Sequence, residues 1–181
     1  GTSNFQVNIT EAAAAGNSAP IVFNSSVAIN SSVTLTEGGR AQFAIGFNVT
    51  DADGTADINN AAVGVNITYN GIKRSNNSGN CANLGDSTAT TRAFSCIVVF
   101  YYYDNSTTLW EINLSAADAA GAVGHNDSQS AGSGAAHNLT VNSLSAFSIV
   151  ESSLATSTTT NSQNVELSFA INNTGNFDFI L

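Results

Sequence analysis

Short runs of alternating apolar and polar residues, separated by Gly, Ser, Asn and Asp, recur every 10 to 15 residues along this chain. Side chains alternate between the two faces of a strand, so such runs predict half-buried β-strands. No stretch shows the 3.6-residue period of a long amphipathic helix. The sequence therefore predicts an all-β fold, an antiparallel sandwich or barrel. The expected strands cover residues 5–10, 21–29, 33–35, 41–50, 62–69, 72–74, 94–103, 109–116, 137–142, 146–150, 165–172 and 177–181.

Three segments predict local features of this fold. Asn70-Gly71 lies between two strand-like runs and predicts a two-residue hairpin, because a type I′ turn needs positive φ at both positions. Residues 97–103 are apolar on both faces, which is typical of a central strand. Residues 121–136 are rich in Gly, Ala and Ser, and we expect a mobile loop there.

The chain carries eleven Asn-x-Ser/Thr sequons, which are acceptors for N-glycosylation. Random placement of its 24 Asn and 41 Ser or Thr residues would give about five. Because N-glycans are added to proteins that cross a membrane, this excess predicts an extracellular glycoprotein at a cell surface. The sequons begin at Asn8, Asn24, Asn30, Asn48, Asn66, Asn76, Asn105, Asn113, Asn126, Asn138 and Asn172.

Five of these sequons lie inside predicted strands, at Asn8, Asn48, Asn66, Asn113 and Asn138. Each of these Asn residues falls on the polar side of its run, so we expect it to face outwards. Polar strand faces that match the sequon by accident are the alternative. Asn is a poor strand former, however, and gains little from such a position. We therefore expect sugar at most of the sequons.

Charged residues make up only 9% of the chain, against ~25% in ordinary soluble domains. Attached glycans would solvate a surface so poor in charge. The net charge of -9 disfavours nucleic acid and anionic lipid as partners. No apolar run approaches the ~20 residues that span a bilayer. The chain begins at Gly1 and contains no Met, so we expect a mature extracellular product.

The two cysteines, Cys81 and Cys96, fit an oxidising compartment. A disulfide would close a loop of ~16 residues and stabilise the fold by about 3 kcal/mol in the chain-entropy model. Two buried free thiols are the alternative. Two cysteines without nearby histidines do not make a zinc site.

Residues 20–142 can hold one complete domain, and two of its segments are distinctive. The first is Val-Thr-Asp-Ala-Asp-Gly-Thr-Ala-Asp-Ile at 49–58, and the second is Trp-x-Ile-x-Leu-x-Ala-x-Asp-x-x-Gly at 110–121. Both resemble immunoglobulin-like modules of archaeal and bacterial cell-surface proteins. The resemblance implies an immunoglobulin-like sandwich with a structural or adhesive role, no catalytic residues and an archaeal host. The chain departs from antibody domains, because its cysteines are too close together to bridge two sheets.

The two ends of the chain are incomplete as domains. Residues 1–19 offer one strand and a linker, and residues 143–181 offer an immunoglobulin-like β region with too few strands to be stable alone. We therefore expect donor-strand complementation, in which the N-terminal strand of one subunit enters the C-terminal sheet of the next and builds a head-to-tail filament or sheath. A monomer in which the strand folds back, and a fragment of a longer surface protein, are the alternatives. The donor residues are Phe5, Val7 and Ile9, and the acceptor groove is Phe169, Ile171, Phe177 and Phe179.

Other residue clusters give weaker functional predictions. Asp51, Asp53 and Asp57 could bind Ca²⁺, although a turn with Asx hydrogen bonds explains the same spacing. An adhesive or carbohydrate-binding module using Tyr101, Tyr103 and Trp110 is the rival function, with core packing of these residues as its alternative.

We predict no enzymatic activity. The two histidines, His125 and His137, flank the expected loop and have no rigidly held third group beside them. The sequence contains no recognisable Ser-His-Asp set, phosphate-binding loop or paired-carboxylate motif. The Ca²⁺ option apart, no cofactor is expected.

Overall fold

The computed structural model describes residues 16–23, 32–76, 81–126, 138–151, 153, 155 and 166–177. These residues form β-strands connected by turns, with a single turn of 3₁₀ helix at Asn60–Ala62. The all-β prediction is confirmed. The strands are β1 (Ile21–Phe23), β2 (Ser32–Val33), β3 (Arg40–Thr50), β4 (Gly64–Tyr69), β5 (Ile72–Asn76), β6 (Ala82–Asp86), β7 (Thr91–Tyr101), β8 (Thr107–Ala117), β9 (Val123–Asn126), β10 (Asn138–Val141), β11 (Phe147–Ile149) and β12 (Ile171–Asn173).

The described strands form two large sheets and a small ribbon. The first sheet has the order β1-β3-β7-β6 and is antiparallel throughout. The second has the order β2-β10-β8-β4-β5, and β9 pairs with the part of β8 that β10 leaves uncovered. Only β2 and β10 run parallel among these pairs. Strands β11 and β12 form an antiparallel pair, the C-terminal ribbon.

The two large sheets share one hydrophobic core. Phe100 of β7 meets Trp110 of β8 edge-on, with ring centroids 5.3 Å apart, and Tyr69 of β4 covers the other side of the indole. The Trp110 Nε1–H donates to the Asn105 carbonyl oxygen at 2.9 Å, so the polar atom of this buried ring is paired. Each large side chain buried in this way stabilises the fold by roughly 1.5–3 kcal/mol. The core fills the space between the sheets of a β-sandwich.

Several local predictions are confirmed. Asn70 and Gly71 have φ of 46° and 80°, as the hairpin between β4 and β5 requires. The 97–103 run lies mostly in β7, an inner strand of the first sheet. Cys81 and Cys96 form a disulfide with an S–S distance of 1.99 Å. This bond joins β7 to the residue that precedes β6.

Other strand predictions were wrong. The expected mobile loop at 121–136 contains β9, which pairs with β8. Strand β6 was missed altogether, because all five of its residues are exposed and show no apolar alternation. In the C-terminal region the strand expected at 165–172 is limited to Ile171–Asn173, and Phe177 lies in a bend rather than a strand. The strand expected at 5–10 lies outside the described residues.

The sandwich has two distinct ends, which the long strands β3 and β7 connect. They pair over eleven residues, from Arg40 opposite Tyr101 to Thr50 opposite Thr91. At ~3.3 Å per residue this length separates the ends by about 33 Å. The acidic end, beyond Thr50, consists of the loops at 51–58 and 118–122. The ribbon end, before Arg40, consists of the loops at 36–39 and 102–105 together with the C-terminal ribbon.

The C-terminal ribbon is hydrogen-bonded to the ribbon end through a short hinge of residues 174–176. The Thr174 carbonyl oxygen accepts from the Gly38 N–H at 3.0 Å. The Asn176 Nδ2 donates to the Asp104 carbonyl at 2.7 Å and to the Asn142 carbonyl at 3.1 Å, while its Oδ1 accepts from the Leu144 N–H. One amide side chain therefore connects the ribbon, the second sheet and the β7–β8 turn.

Candidate functional site

One face of the C-terminal ribbon is apolar and exposed. The pairing sets Ile149 opposite Ile171 and Phe147 opposite Asn173, so Phe147, Ile149 and Ile171 share a face. In the extended segment before β12, Leu167 and Phe169 continue the same alternation. We call these five residues the ribbon face. Four of them, Phe147, Ile149, Leu167 and Phe169, are among the thirteen large exposed hydrophobic residues of the described chain, and Ile171 is half-buried.

The opposite face of the ribbon carries a sequon, together with exposed Val150. Asn172 is exposed and pairs with Ser148, one residue out of phase with the ribbon face. A glycan on Asn172 would therefore project away from the ribbon face. Of the predicted groove residues, Phe169 and Ile171 belong to the ribbon face, Phe177 is exposed in the bend that follows β12, and Phe179 lies outside the described residues.

The N-terminal segment enters the sandwich at the acidic end. The Asn17 Nδ2 donates to Asp118 Oδ2 at 2.8 Å, and the Ser18 N–H donates to Asp53 Oδ2 at 2.8 Å. Just beyond, Pro20 approaches Gly124 so closely that a Cβ on Gly124 would lie 1.8 Å from the Pro20 carbonyl oxygen. The predicted donor residues Phe5, Val7 and Ile9 lie outside the described residues. Their point of attachment is thus at the end of the sandwich that is remote from the ribbon.

Three carboxylates converge at the acidic end. One oxygen from each of Asp51, Asp57 and Asp118 lies within 4.8 Å of the others. An isolated bridge between Ile58 and Asp118 holds the two loops together, and the Ala119 N–H donates to the Asp57 carbonyl at 2.7 Å. The carboxylates that lie together differ from the sequence-based set in one member. Asp53 points to the N-terminal segment instead, and Asp118 takes its place because the β8–β9 turn folds against the 51–58 loop.

Two of the described carboxylates at this end have shifted pKa values that follow from these contacts. Burial, together with the nearby charges of Asp118, Asp51 and Asp53, raises the pKa of Asp57. The pKa of Asp118 is lowered by the hydrogen bond from Asn17 and by bonds from the backbone N–H groups of the β8–β9 turn. The cluster is thus a place where negative charges are held close together.

Four sequons predicted to face outwards have the expected register. Asn48, Asn66 and Asn113 each lie between two buried residues of their strands, and Asn138 precedes buried Leu139. Asn66 and Asn113 are directly opposite each other in the β4–β8 pair. Asn105, in the β7–β8 turn, is exposed. The sequons at Asn8, Asn24 and Asn30 lie outside the described residues.

Two further sequons, Asn76 and Asn126, point inwards. Asn76 pairs with buried Val65, and its Nδ2 donates to the Ile97 carbonyl of the first sheet at 2.6 Å. Asn126 pairs with buried Leu114, and its Nδ2 donates to the Val22 carbonyl at 2.8 Å. Both amide nitrogens therefore connect one sheet to the other, although nitrogen is the atom that would carry the sugar.

Trp110 shows the core packing that was the alternative to a sugar-binding face. Trp110 is fully buried, because it shares the inward register of Ile112 and Leu114 on β8. Tyr101 and Tyr103 are stacked on each other at 5.4 Å, and the Arg74 guanidinium lies over both rings. This correction removes Trp110 from any such surface.

The remaining sequence candidates add no catalytic constellation in the described chain. His125 is exposed on β9, and His137 lies outside the described residues. No described helix is long and apolar enough to cross a membrane. No protein-family model, curated protein or solved structure matches this chain.

Proposed function

We propose that this protein is an extracellular structural glycoprotein of the immunoglobulin-like type, and that it polymerises into a cell-surface filament or sheath by donor-strand complementation. The observation that carries this proposal is the exposed ribbon face, at the end of the sandwich remote from the N-terminal segment. The N-terminal strand of a neighbouring subunit, with Phe5, Val7 and Ile9, covers that face.

The ribbon face needs an apolar partner. Leu167 is 50% exposed and Phe169 49%, and a two-stranded ribbon is marginally stable by itself in water. Open strand edges with apolar side chains pair with other chains unless they are covered. A third strand with apolar residues at every second position matches the spacing of the ribbon face, and residues 5–9 have that pattern.

The geometry favours a strand from a second copy over one from the same chain. Asn17 is hydrogen-bonded to Asp118 at the acidic end. The eight residues from Asn17 back to Ile9 span at most about 29 Å when fully extended. Because β3 alone separates the two ends by about 33 Å, Ile9 does not reach the ribbon of its own chain while Asn17 is bound. A donor at one end and an acceptor at the other repeat head to tail without closing.

Sequon positions support the glycoprotein part of the proposal. Asn48, Asn66, Asn113 and Asn138 lie on the outer faces of the two sheets, where sugar would leave the core undisturbed. Asn172 faces away from the ribbon face. Glycans at these positions solvate a chain with only 9% charged residues and leave the strand-docking surface open.

The first experiment places charge on the ribbon face. In the full chain, Phe169→Asp combined with Ile171→Asp should abolish filaments, because a buried carboxylate without a partner is strongly unfavourable in an apolar joint. The matched control, Ser148→Asp with Ala170→Asp, adds the same charge out of phase with the ribbon face and should polymerise as the wild type does. Electron microscopy and size-exclusion chromatography measure the outcome.

Removal of residues 1–12 tests the donor separately. The truncated chain should stay monomeric, and a synthetic peptide of residues 1–12 should bind it but not its Phe169→Asp/Ile171→Asp variant. Assemblies of unchanged size in the truncated chain would contradict strand donation. Loss of filaments in both charge variants would mean that the ribbon face has no special role.

A further inference from the structure

We propose that Asp51, Asp57 and Asp118 bind one divalent cation of the size of Ca²⁺. This site does not depend on the polymerisation proposed above. It fixes the acidic end of the sandwich, where the N-terminal segment enters.

The first argument is the unpartnered oxygen of Asp51. This residue follows β3 and is fully buried. Its Oδ1 accepts the Asp53 N–H at 2.9 Å, but Oδ2 is buried and has no hydrogen-bond partner. Buried polar groups in native proteins are almost always paired, and an unpaired carboxylate oxygen is among the most costly exceptions. A cation bound to Oδ2 supplies the missing interaction.

The second argument is distance. Two oxygens bound to the same Ca²⁺ at ~2.4 Å are at most ~4.8 Å apart. The oxygens of Asp51, Asp57 and Asp118 meet this limit without any movement of the backbone. The bridge between Ile58 and Asp118 and the turn hydrogen bonds keep the two loops in place, so the ligands are already positioned before an ion binds.

The third argument is charge. The ion pairs found in the described residues are Arg74–Asp104 and Arg92–Asp86, and neither involves the cluster. Asp118 Oδ2 accepts from Asn17, a neutral amide. Three carboxylates held this close repel one another, and a divalent cation neutralises most of that charge.

The site also has access to solvent. A cleft of about 430 Å³ lined by Asn17, Asp53, Ala56 and Asp57 opens beside the cluster. Ca²⁺ takes six to eight oxygen ligands, so three carboxylates leave positions that water can fill from this cleft. Mg²⁺ requires oxygens at 2.0–2.1 Å in a strict octahedron, which fits this mixed, half-open set less well.

The test uses the full-length chain, freed of metal with a chelator and then titrated with CaCl₂. We expect one ion per chain by calorimetry, and a melting temperature that rises by about 5–10 °C at a hundredfold excess over Kd. Asp51→Asn preserves the acceptor for the Asp53 N–H but loses the charge, and it should weaken Ca²⁺ binding by about tenfold or more.

Two further variants keep the result interpretable. Asp57→Asn changes a half-buried ligand, so it tests the site even if Asp51→Asn fails to fold. Asp53→Asn is the matched control, because Asp53 is exposed and outside the cluster. It removes a nearby negative charge but no ligand, so its Ca²⁺ affinity should fall far less than that of Asp51→Asn. Absence of any Ca²⁺ binding by the wild type would overturn the proposal, as would an equal response to Mg²⁺. An equal loss of affinity in Asp53→Asn would overturn the ligand assignment.

Discussion

The two ends of the sandwich are incomplete in opposite ways. At the acidic end, side chains are buried but a charge is uncompensated, since Asp51 has a buried oxygen without a partner. At the ribbon end, the hinge is fully hydrogen-bonded through Asn176, yet the apolar side chains beyond it are exposed. We have proposed that a cation completes the first end and that a strand of a neighbouring subunit completes the second.

Under the two proposals, one fold presents two kinds of binding surface. Strands β3 and β7 form the same regular ladder from one end to the other, so neither surface results from a weakness of the sandwich itself. The ends differ in their loops and in the C-terminal ribbon, and these segments determine which ligand or partner each end can bind. A substitution at one end should consequently leave the structure of the other end intact.

The largest effect is expected from two glycines, one at each end. A Cβ on Gly175 would lie 2.0 Å from the Leu144 carbonyl oxygen, and one on Gly124 would lie 1.8 Å from that of Pro20. Because both obstacles are backbone atoms, Gly175→Ala and Gly124→Ala should each cost about 2–3 kcal/mol. Gly16→Ala is the control, since no atom lies within 4 Å of its added Cβ.

Hydrogen exchange distinguishes the two variants. Gly175→Ala should increase exchange at the Val150 and Thr174 amides of the ribbon end and leave those of β1 and β9 protected. Gly124→Ala should do the reverse. Similar loss of protection at both ends in either variant would show that the ends are coupled.

A smaller effect concerns acid. Hydrogen bonds from Arg92, and then from Thr55, lower the pKa of Asp86, the last residue of β6, below its ordinary value of 3.8. A lowered pKa means that the ionised form is favoured by folding, so Asp86 stabilises the protein above pH 3.8 and this contribution is lost as pH falls through the folded pKa. The difference in melting temperature between wild type and Asp86→Asn should therefore shrink from about pH 5 to pH 2.

An exposed carboxylate elsewhere provides the comparison for this pH series. Glu111→Gln removes a negative charge from β8 without affecting Arg92, and it should not reproduce the pH dependence of Asp86→Asn. If both variants follow the same curve, net charge rather than the Asp86–Arg92 pair governs stability in acid.

The last prediction concerns which sequons carry sugar. It has the smallest effect on stability, but mass spectrometry detects it clearly. Asn105 and Asn172, at the ribbon end, are exposed and should carry sugar. Asn126, towards the acidic end, donates its Nδ2 to the Val22 carbonyl and should not. Glycopeptide mapping of the native protein measures occupancy. Full occupancy at Asn126 would mean that this sheet-to-sheet hydrogen bond is absent from the mature molecule.

Alternation was a reliable guide to strands that bury one face. It predicted β3, β4 and β8, because most inward residues of these strands are apolar and most outward ones are polar, whereas β7 was recognised from a run that is apolar on both faces. It missed β6, which lies at a sheet edge and is held by backbone hydrogen bonds to β7. Such a strand needs no apolar side chains, so its sequence resembles a loop.

The residues of the acidic cluster and Trp110 show the same limit of prediction from a single sequence. Asp51 and Asp57 were predicted because they lie in one short segment, whereas Asp118 is contributed by a turn that is distant in sequence. Trp110 was assigned to a possible sugar-binding surface, but the register of β8 places it in the core. Which face of a strand is buried depends on the partner sheet, and a single sequence does not reveal that partner.

The pairing of β1 with β3 has a mechanical consequence. A pull on the N-terminal segment, as in the filament proposed above, would act through Pro20 and along β1, whose residues Ile21–Phe23 pair with Thr50, Val49 and Asn48. Antiparallel ladder bonds lie across the strand direction, so this pull loads them in shear and together rather than one at a time. The connection between the N-terminal segment and the sandwich thus resists stretching more strongly than the three-residue length of β1 suggests.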